Sequence, residues 1–219
     1  MTRSSRATRI VFWRHGRTTW NAERRFQGQT DVPLDDTGVA QAEAAARALA
    51  RLAPARIVSS DLSRAHATAS ALAALTGLEV LSDPGLRETY AGEWQGLTRS
   101  ELEERYGDEL AAWSAGSDVR PGGGETRIEV ADRVVAVVER ELAQMGAGRT
   151  LVVATHGGAA RAAIGALLGL PPEHWAALGV LANCAWSVLE GNTSGHGPAW
   201  RLQEYNAGSL PVTALADDR

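Results

Sequence analysis

The sequence has little cysteine and no long apolar run, and both shortages restrict what the protein can be. Cys184 is the single cysteine among 219 residues, so no disulfide can form within the chain. The apolar stretch after the basic N-terminus is far shorter than a signal-peptide core. No later run approaches the roughly 18 apolar residues of a membrane span. We therefore expect a cytoplasmic protein that does not bind membranes.

The sequence also lacks a strong net charge of either sign. The formal net charge is −4, which gives no general attraction to nucleic acid or to anionic membranes. Any anionic ligand must then be bound by a local cluster of basic side chains. With 44% hydrophobic residues, the chain is long enough to bury one substantial core. We expect residues 1–219 to form a single domain.

Short apolar segments rich in β-formers alternate along the chain with Ala-rich helical segments. Strands are predicted at 9–13, 56–60, 78–81, 149–154, 185–190 and 199–205, and helices at 39–52, 62–76, 125–145 and 157–169. This order predicts a three-layer α/β/α sandwich with a mostly parallel central sheet, its core spanning about 8–206. Residues 82–124, interrupted by Gly and Pro, are predicted as an irregular lid with short helices such as 100–106, and 207–219 as a loose tail.

Arginine and histidine follow three of the predicted strands. They are Arg14 and His15 after the first strand, Arg64 after the second and His156 after the fourth. Ligands of such sheets bind beyond the carboxyl ends of the strands, so we expect these side chains to meet there. Guanidinium groups are charged, bidentate donors to phosphoryl oxygens. Helices capped by Asp61 and beginning at Gly157 would add backbone N–H donors to the same anion.

These residue types suit phosphoryl transfer. A neutral imidazole can attack phosphorus directly and form a phosphohistidine. Arg14, Arg64 and a protonated His156 would then stabilise charge on the transferred group. Glu88 is the expected proton donor to the leaving group, because a phosphate dianion nearby would keep part of such a carboxylate protonated. Glu93 is the alternative acid.

Six motifs resemble, in their order, those of the histidine phosphatase superfamily, also called the phosphoglycerate-mutase-like family. They are RHGRTTWN from Arg14, FQGQTDVPL from Phe26, SSDLSRAHATA from Ser59, LRETYAGEWQG from Leu86, PGGGET from Pro121 and THGG from Thr155. The resemblance spans residues from about 9 to 190 and implies the fold of that family. RHG alone is a short tripeptide, whereas the ordered set is specific.

The resemblance implies a role for each candidate residue. His15 would be the phosphorylated nucleophile, with Glu88 as proton donor. The phosphate binders would be Arg14, Arg64 and His156. Residues that line or support the phosphate site would be Asn21, Gln27, Gly28 and Gly157. No metal and no organic cofactor is implied, in agreement with the lack of Cys or His clusters at ligand spacing.

The motifs favour the phosphatase branch over the mutase branch. Mutases of the family read RHGES after the first strand and carry a longer, Arg-rich insertion, whereas this chain has Thr18 and a short insertion followed by PGGGET. Three stretches, IVSSDLSRAHATA, LRETYAGEWQGLT and LGVLANCAW, are similar to those of glucosyl-3-phosphoglycerate phosphatases. The expected ligand is a small phosphomonoester, either glucosyl-3-phosphoglycerate or a related sugar or glycerate phosphate.

Aromatic and basic residues outside the motif cores could recognise the rest of such a substrate. Candidates for stacking on a sugar are Tyr90, Trp94 and Trp113, and candidates for binding a carboxylate are Arg24, Arg25 and Arg87. Each could equally be core filling or a solvated charge.

Other functions stay open at this point. They are a phosphoglycerate mutase, a non-catalytic phosphate-binding protein of the same fold, and a regulatory protein phosphatase. An exposed apolar patch around Trp175 and Leu178 would support a protein interface or a homodimer.

Overall fold

A computed structural model of the chain describes residues 7–192 and 199–208. Six strands in these ranges form one sheet in the order β3-β2-β4-β1-β5-β6. They are β1 (Arg9–Arg14), β2 (Arg56–Ser59), β3 (Val80–Ser82), β4 (Thr150–Thr155), β5 (Trp186–Gly191) and β6 (Trp200–Ala207). The first four run parallel to one another, and β5 and β6 pair antiparallel to their neighbours. The mostly parallel sheet is confirmed.

Helices cover both faces of this sheet. They are α1 (Thr19–Ala22), α2 (Asp36–Ala50), α3 (Ser63–Thr76), α4 (Arg99–Ser114), α5 (Arg127–Ala143) and α6 (Gly157–Leu167). Side chains alternate along β1, so Ile10 and Phe12 pack with α5 and α6, while Val11 and Trp13 pack with α2 and α3. The predicted three layers are confirmed.

One predicted helix cap is wrong. Leu62, not Asp61, occupies the N-cap position of α3, and it makes no side-chain capping bond. The Asp61 carboxylate instead accepts two hydrogen bonds from Arg87, at 2.8 and 2.6 Å. A charged partner that is distant in the sequence therefore outweighs the local capping preference of aspartate.

The predicted irregular lid at 82–124 contains more regular structure than expected. The 16-residue helix α4 replaces the short helix predicted at 100–106, with 3-10 turns at Pro84–Leu86, Gly92–Trp94 and Pro121–Gly123. Thr98 and Glu101 form a capping box at its start, and the helix continues past Gly107 with a kink at Tyr106. Apolar burial holds this helix, since Leu102 and Leu110 are buried in its own small cluster.

The prediction of an exposed apolar patch around Trp175 and Leu178 is also wrong for Trp175, its central residue. Trp175 is buried beneath α6, where a Cβ on Gly165 would lie 2.5 Å from its ring, and its Nε1 donates to the Leu170 carbonyl. Leu178 is half-buried. Most of the predicted loose tail, 209–219, lies outside the described residues. No helix in the described ranges has the length and apolar content that a membrane span requires.

Candidate active site

The chain folds so that the two site histidines become neighbours. β1 pairs with β4 in parallel, with Arg14 opposite Thr155, so the residue that follows each strand lies beside the other. The ring centroids of His15 and His156 are 5.2 Å apart. Residues 141 positions apart in the chain therefore meet because of strand register alone.

His15 is held as a neutral nucleophile. Its Nδ1 lies 2.7 Å from the Gly16 carbonyl, and since a carbonyl can only accept, Nδ1 carries the proton and Nε2 the lone pair. Burial, followed by the positive charges of Arg64 and Arg14, holds the pKa of His15 well below its usual 6.5. At neutral pH the imidazole is uncharged, as attack on phosphorus requires.

The backbone around His15 is fixed by two side chains that the sequence did not single out. Thr68 Oγ1 accepts from the Gly16 N–H at 3.1 Å and donates to the Arg64 carbonyl at 2.8 Å. Asn183 Nδ2 donates to the His15 carbonyl at 3.1 Å. Gly16 itself packs against Gly38, where a Cβ would lie 2.4 Å from a carbonyl oxygen. The nucleophile therefore has little freedom to move.

His156 is neutral as well, which differs from the expected protonated state. Its Nδ1 accepts from Arg64 Nε at 3.2 Å, and its Nε2 lies 3.0 Å from Ser60 Oγ, so Nε2 carries the single proton. Burial and then the positive charge of Arg64 hold the pKa of His156 well below 6.5. In this arrangement Arg64 and Arg14, rather than His156, supply the positive charge.

Both arginines are anchored by backbone carbonyls. Arg64 donates from Nη1 to Thr30 at 2.7 Å and from Nη2 to Gly28 at 2.8 Å, and Arg14 donates from Nη1 to Leu181 at 2.6 Å. Burial lowers the pKa of Arg64 to about 10, which still leaves it charged at neutral pH. These bonds fix the guanidinium planes before an anion arrives, so little reorganisation is needed on binding.

Glu88 takes the backbone donors that were expected to bind phosphate. Its carboxylate accepts from the N–H groups of Gly158, Ala159 and Thr89, each at 2.9 Å. The expectation that the start of α6 is free to bind the anion is wrong for Gly158 and Ala159. A side chain at position 158 is excluded, because a Cβ on Gly158 would lie 2.7 Å from Glu88 Oε1.

The segment carrying Glu88 is fixed from behind by an ion pair. Arg133 donates to the carbonyls of Arg87 and Glu88 at 2.5 and 2.9 Å, and it pairs with Glu125 at 2.9 Å. Glu125 in turn accepts from the Tyr90 N–H at 2.7 Å. Glu125 belongs to the PGGGET motif, so one member of this ion pair could be noticed in the sequence. Arg133 lies outside every motif and could not.

Seven of the nine predicted site residues line one cavity of about 350 Å³: Arg14, His15, Asn21, Gln27, Gly28, Arg64 and Glu88. The other two lie beside it, His156 against His15 and Gly157 against the Arg14 side chain. The side-chain oxygens of Asn21 and Gln27 lie 3.1 and 3.0 Å from Thr18 Oγ1, which leaves their NH₂ groups as donors for an anion.

The predicted sugar-stacking aromatics divide into three kinds. Trp94 is fully buried and packs edge-on against Phe26, so it is core filling. Tyr90 is 45% exposed and does not line the cavity. Trp113 does line it.

The three arginines predicted to bind a carboxylate also differ in their positions. Arg25 lines the cavity, Arg87 is paired with Asp61, and Arg24 is exposed outside the cavity. The alternative acid Glu93 is exposed and accepts from the Tyr106 hydroxyl at 2.9 Å, away from the cavity.

Two buried arginines, a neutral histidine with a free Nε2 and a carboxylate around one cavity define a site for transfer of a phosphoryl group to a histidine. In the part of the chain that the structure describes, no three His, Cys, Asp or Glu side chains are grouped as ligands of a metal ion.

Comparison with known proteins agrees with this chemistry. Residues 10–207 match the histidine phosphatase superfamily (branch 1), and the chain belongs to that family. A glucosyl-3-phosphoglycerate phosphatase from Mycolicibacterium vanbaalenii is 42% identical over 215 residues, which cover 92% of this chain and 96% of the relative. A metal-independent phosphoserine phosphatase from Arabidopsis thaliana is 40% identical over 72% of this chain and 68% of the relative.

A solved structure gives the same result. A mycobacterial glucosyl-3-phosphoglycerate phosphatase in complex with VO3 superposes with a TM-score of 0.86 at 41% identity, covering 91% of this chain and 99% of that one. The predictions of the superfamily and of a phosphatase are confirmed.

Proposed function

We propose that this enzyme hydrolyses glucosyl-3-phosphoglycerate, or a closely related sugar or glycerate phosphate, through a phosphohistidine at His15. The observation that carries the mechanism is the proton on His15 Nδ1, fixed by the Gly16 carbonyl, which leaves the Nε2 lone pair for phosphorus. The substrate is supported by the relatives that carry that name at 41–42% identity over almost their whole length.

In the first step, His15 Nε2 forms a bond to phosphorus while the bond from phosphorus to the ester oxygen breaks. Arg14 and Arg64 stabilise the charge on the three remaining phosphoryl oxygens. Glu88, which lines the same cavity, donates its proton to the departing alkoxide. The alcohol leaves, and the phosphoryl group stays on the histidine.

In the second step, water attacks the phosphohistidine. Glu88, now a carboxylate, removes a proton from that water, and the bond between phosphorus and Nε2 breaks. Inorganic phosphate is released, and His15 returns to its neutral form. The proton that Glu88 gave to the alcohol is restored, so the cycle is balanced.

We further propose that the enzyme is cytoplasmic and acts as a homodimer. Cys184 is the single cysteine of the sequence, and its thiol is buried, which suits a reducing compartment. Sedimentation equilibrium of the full chain tests the dimer. A single monomeric species at micromolar concentration contradicts it.

Phosphate release in the presence of EDTA tests the reaction. We expect release from glucosyl-3-phosphoglycerate to exceed that from 3-phosphoglycerate, fructose bisphosphate, α-ribazole phosphate and an aryl phosphate. His15→Ala should reduce release by at least about 10⁴-fold, as loss of a nucleophile does in other covalent mechanisms. The exposed His66, on α3, gives the matched control His66→Ala, which should keep the wild-type rate.

Two results would contradict the proposal. Undiminished activity in His15→Ala removes the nucleophile assignment, and release of phosphate from none of the compounds favours the non-catalytic phosphate-binding protein. A preference for another compound replaces the substrate and leaves the mechanism standing.

A further inference from the structure

The cavity has a second, cationic wall that phosphoryl transfer does not use. Beyond the phosphate end it is lined by Phe26, Trp113 and four further arginines, Arg25, Arg99, Arg127 and Arg161. Arg25 and Arg99 each have a carboxylate partner within the protein. Arg25 pairs with Glu23 at 2.7 Å, and Arg99 pairs with Glu103 at 2.8 Å.

Arg127 is placed differently from the other arginines of its own segment. Arg120 and Arg133 form ion pairs with Glu129 and Glu125. Arg127 has no ion-pair partner among the described residues: it donates to the carbonyls of Trp113 and Ser117, and its buried Nε has no acceptor there. Its charge is therefore held in place without an ion pair, although the carboxylate of Asp118 also attracts it.

Two features make this position unfavourable for a cation, and a third holds the side chain in place. Arg127 is the first residue of α5, where the helix dipole disfavours positive charge. Burial, with the like charge of Arg161, lowers the pKa of Arg127 to about 10. The guanidinium is fixed over the Trp113 ring, 4.8 Å from its centroid, which restricts its side-chain freedom.

An anion in the cavity would relieve both of these costs. It would also find a donor that is already ordered, so less entropy is lost on binding. A carboxylate suits a single guanidinium because the two groups are planar and can form paired hydrogen bonds.

We infer that Arg127, held by Trp113, is a specificity-determining residue that binds a carboxylate on the leaving group of the substrate. This inference rests on the proposed function, since it assumes that a phosphate monoester occupies the inner end of the same cavity. It defines the substrate class as phosphomonoesters whose alcohol carries a second negative charge. Substrates without that charge bind only through the phosphate and through contact with the rings of Phe26 and Trp113.

Binding to the His15→Ala variant tests this without any need for turnover. The ligands are glucosyl-3-phosphoglycerate and its methyl ester, which differ by the single carboxylate charge, and the measurement is isothermal titration calorimetry. The acid should bind about 10- to 100-fold more tightly than the ester, the range of a hydrogen bond to a charged group. In His15→Ala/Arg127→Met the preference should fall below about 3-fold, and Arg127→Lys should restore part of it.

Arg120→Met is the matched control, because Arg120 lies in the same segment, is exposed, pairs with Glu129 and does not line the cavity. In the His15→Ala background it should keep the full preference for the acid. Equal binding of acid and ester to His15→Ala overturns the inference. So does a preference that survives Arg127→Met, or an equal loss of both ligands in that variant, which marks a structural role.

Turnover separates this inference from the proposed function. With His15 intact, Arg120→Met should hydrolyse the acid at the wild-type rate. If the wild-type enzyme releases no phosphate from any monoester, the proposed function fails. The acid and ester affinities of the His15→Ala variants still decide whether Arg127 binds a carboxylate.

Discussion

The two ends of the cavity are built in different ways. At the inner end, His15 follows β1 and His156 follows β4, and the register of a parallel strand pair places them together. At the cationic wall, called the outer wall below, Trp113 comes from the end of α4 and Arg127 from the start of α5. Their contacts are made by side chains and loop carbonyls. Main-chain hydrogen bonding therefore fixes the part that handles phosphate. Side-chain packing fixes the part that meets the leaving group.

This difference has a functional consequence. Every substrate of such an enzyme presents the same phosphoryl group, so the inner end has to hold one geometry. The alcohol differs from one substrate to another, and residues on loops and helix ends can change without moving a strand. We expect changes at the inner end to alter rate for all substrates, and changes at the outer wall to alter the choice among them.

After removal of the nucleophile, Glu88→Gln should have the largest effect, and it tests the inner end. The substitution removes the transferable proton while keeping the size of the side chain, so kcat for a sugar phosphate should fall by about 10²- to 10⁴-fold. An aryl phosphate, whose phenolate leaves without protonation, should lose less in the phosphorylation step. Rapid-quench measurement of phosphohistidine with both substrates checks this.

Glu93→Gln is the control for this prediction, since Glu93 is exposed and contacts Tyr106 rather than the cavity. Its kcat should stay within about 2-fold of wild type, as for a surface substitution. A large loss in Glu93→Gln with little loss in Glu88→Gln would reverse the assignment of the acid.

The inner end could be predicted from the sequence because its residues follow the strands directly. RHG after β1 and THGG after β4 place a histidine at a fixed offset from a buried strand, and strand order needs only the α/β alternation. The sequence did not reveal Thr68, Asn183 or Arg133, which support the site through backbone atoms. Their partners are carbonyls and N–H groups of distant segments, and no local pattern marks such a contact.

The outer wall was predicted poorly for a related reason. Tyr90, Trp94 and Trp113 all lie in the segment predicted as an irregular lid, yet one is exposed, one is buried and one lines the cavity. What separates them is the packing of α4, which forms its own cluster over residues 91–113. That helix was expected to be short because Gly107 interrupts it, although burial of Leu110 carries it further.

Trp94→Ala tests whether this cluster supports the outer wall. Trp94 is fully buried against Phe26 and Trp113, so its truncation should lower the free energy of unfolding by about 3–5 kcal/mol. Tyr90→Ala, at the exposed aromatic of the same segment, should change it by less than about 0.5 kcal/mol. Urea unfolding of both variants measures the difference. Equal losses in the free energy of unfolding would contradict this prediction, because they would mean that Tyr90 and Trp94 contribute equally to stability.

The smallest expected effect is the pH dependence of stability, which should arise from the two histidines at the inner end of the cavity. Burial and then neighbouring arginines hold the pKa values of His15 and His156 well below 6.5, so the folded enzyme stays unprotonated there while the unfolded chain takes up protons. The unfolded state thus binds more protons as pH falls below about 6.5, and stability falls with it.

The slope is at most about 1.4 kcal/mol per pH unit for each histidine. Urea unfolding between pH 7.5 and 5, in steps of about half a pH unit, measures this slope for the free enzyme. His156→Asn cannot take up the proton in either state, so its stability should depend less steeply on pH than that of wild type. The same comparison for His15→Asn separates the two contributions. A slope that is unchanged in both variants would show that the loss of stability in acid arises from groups other than these two histidines. The pH dependence of stability would then no longer distinguish the inner end of the cavity from the outer wall.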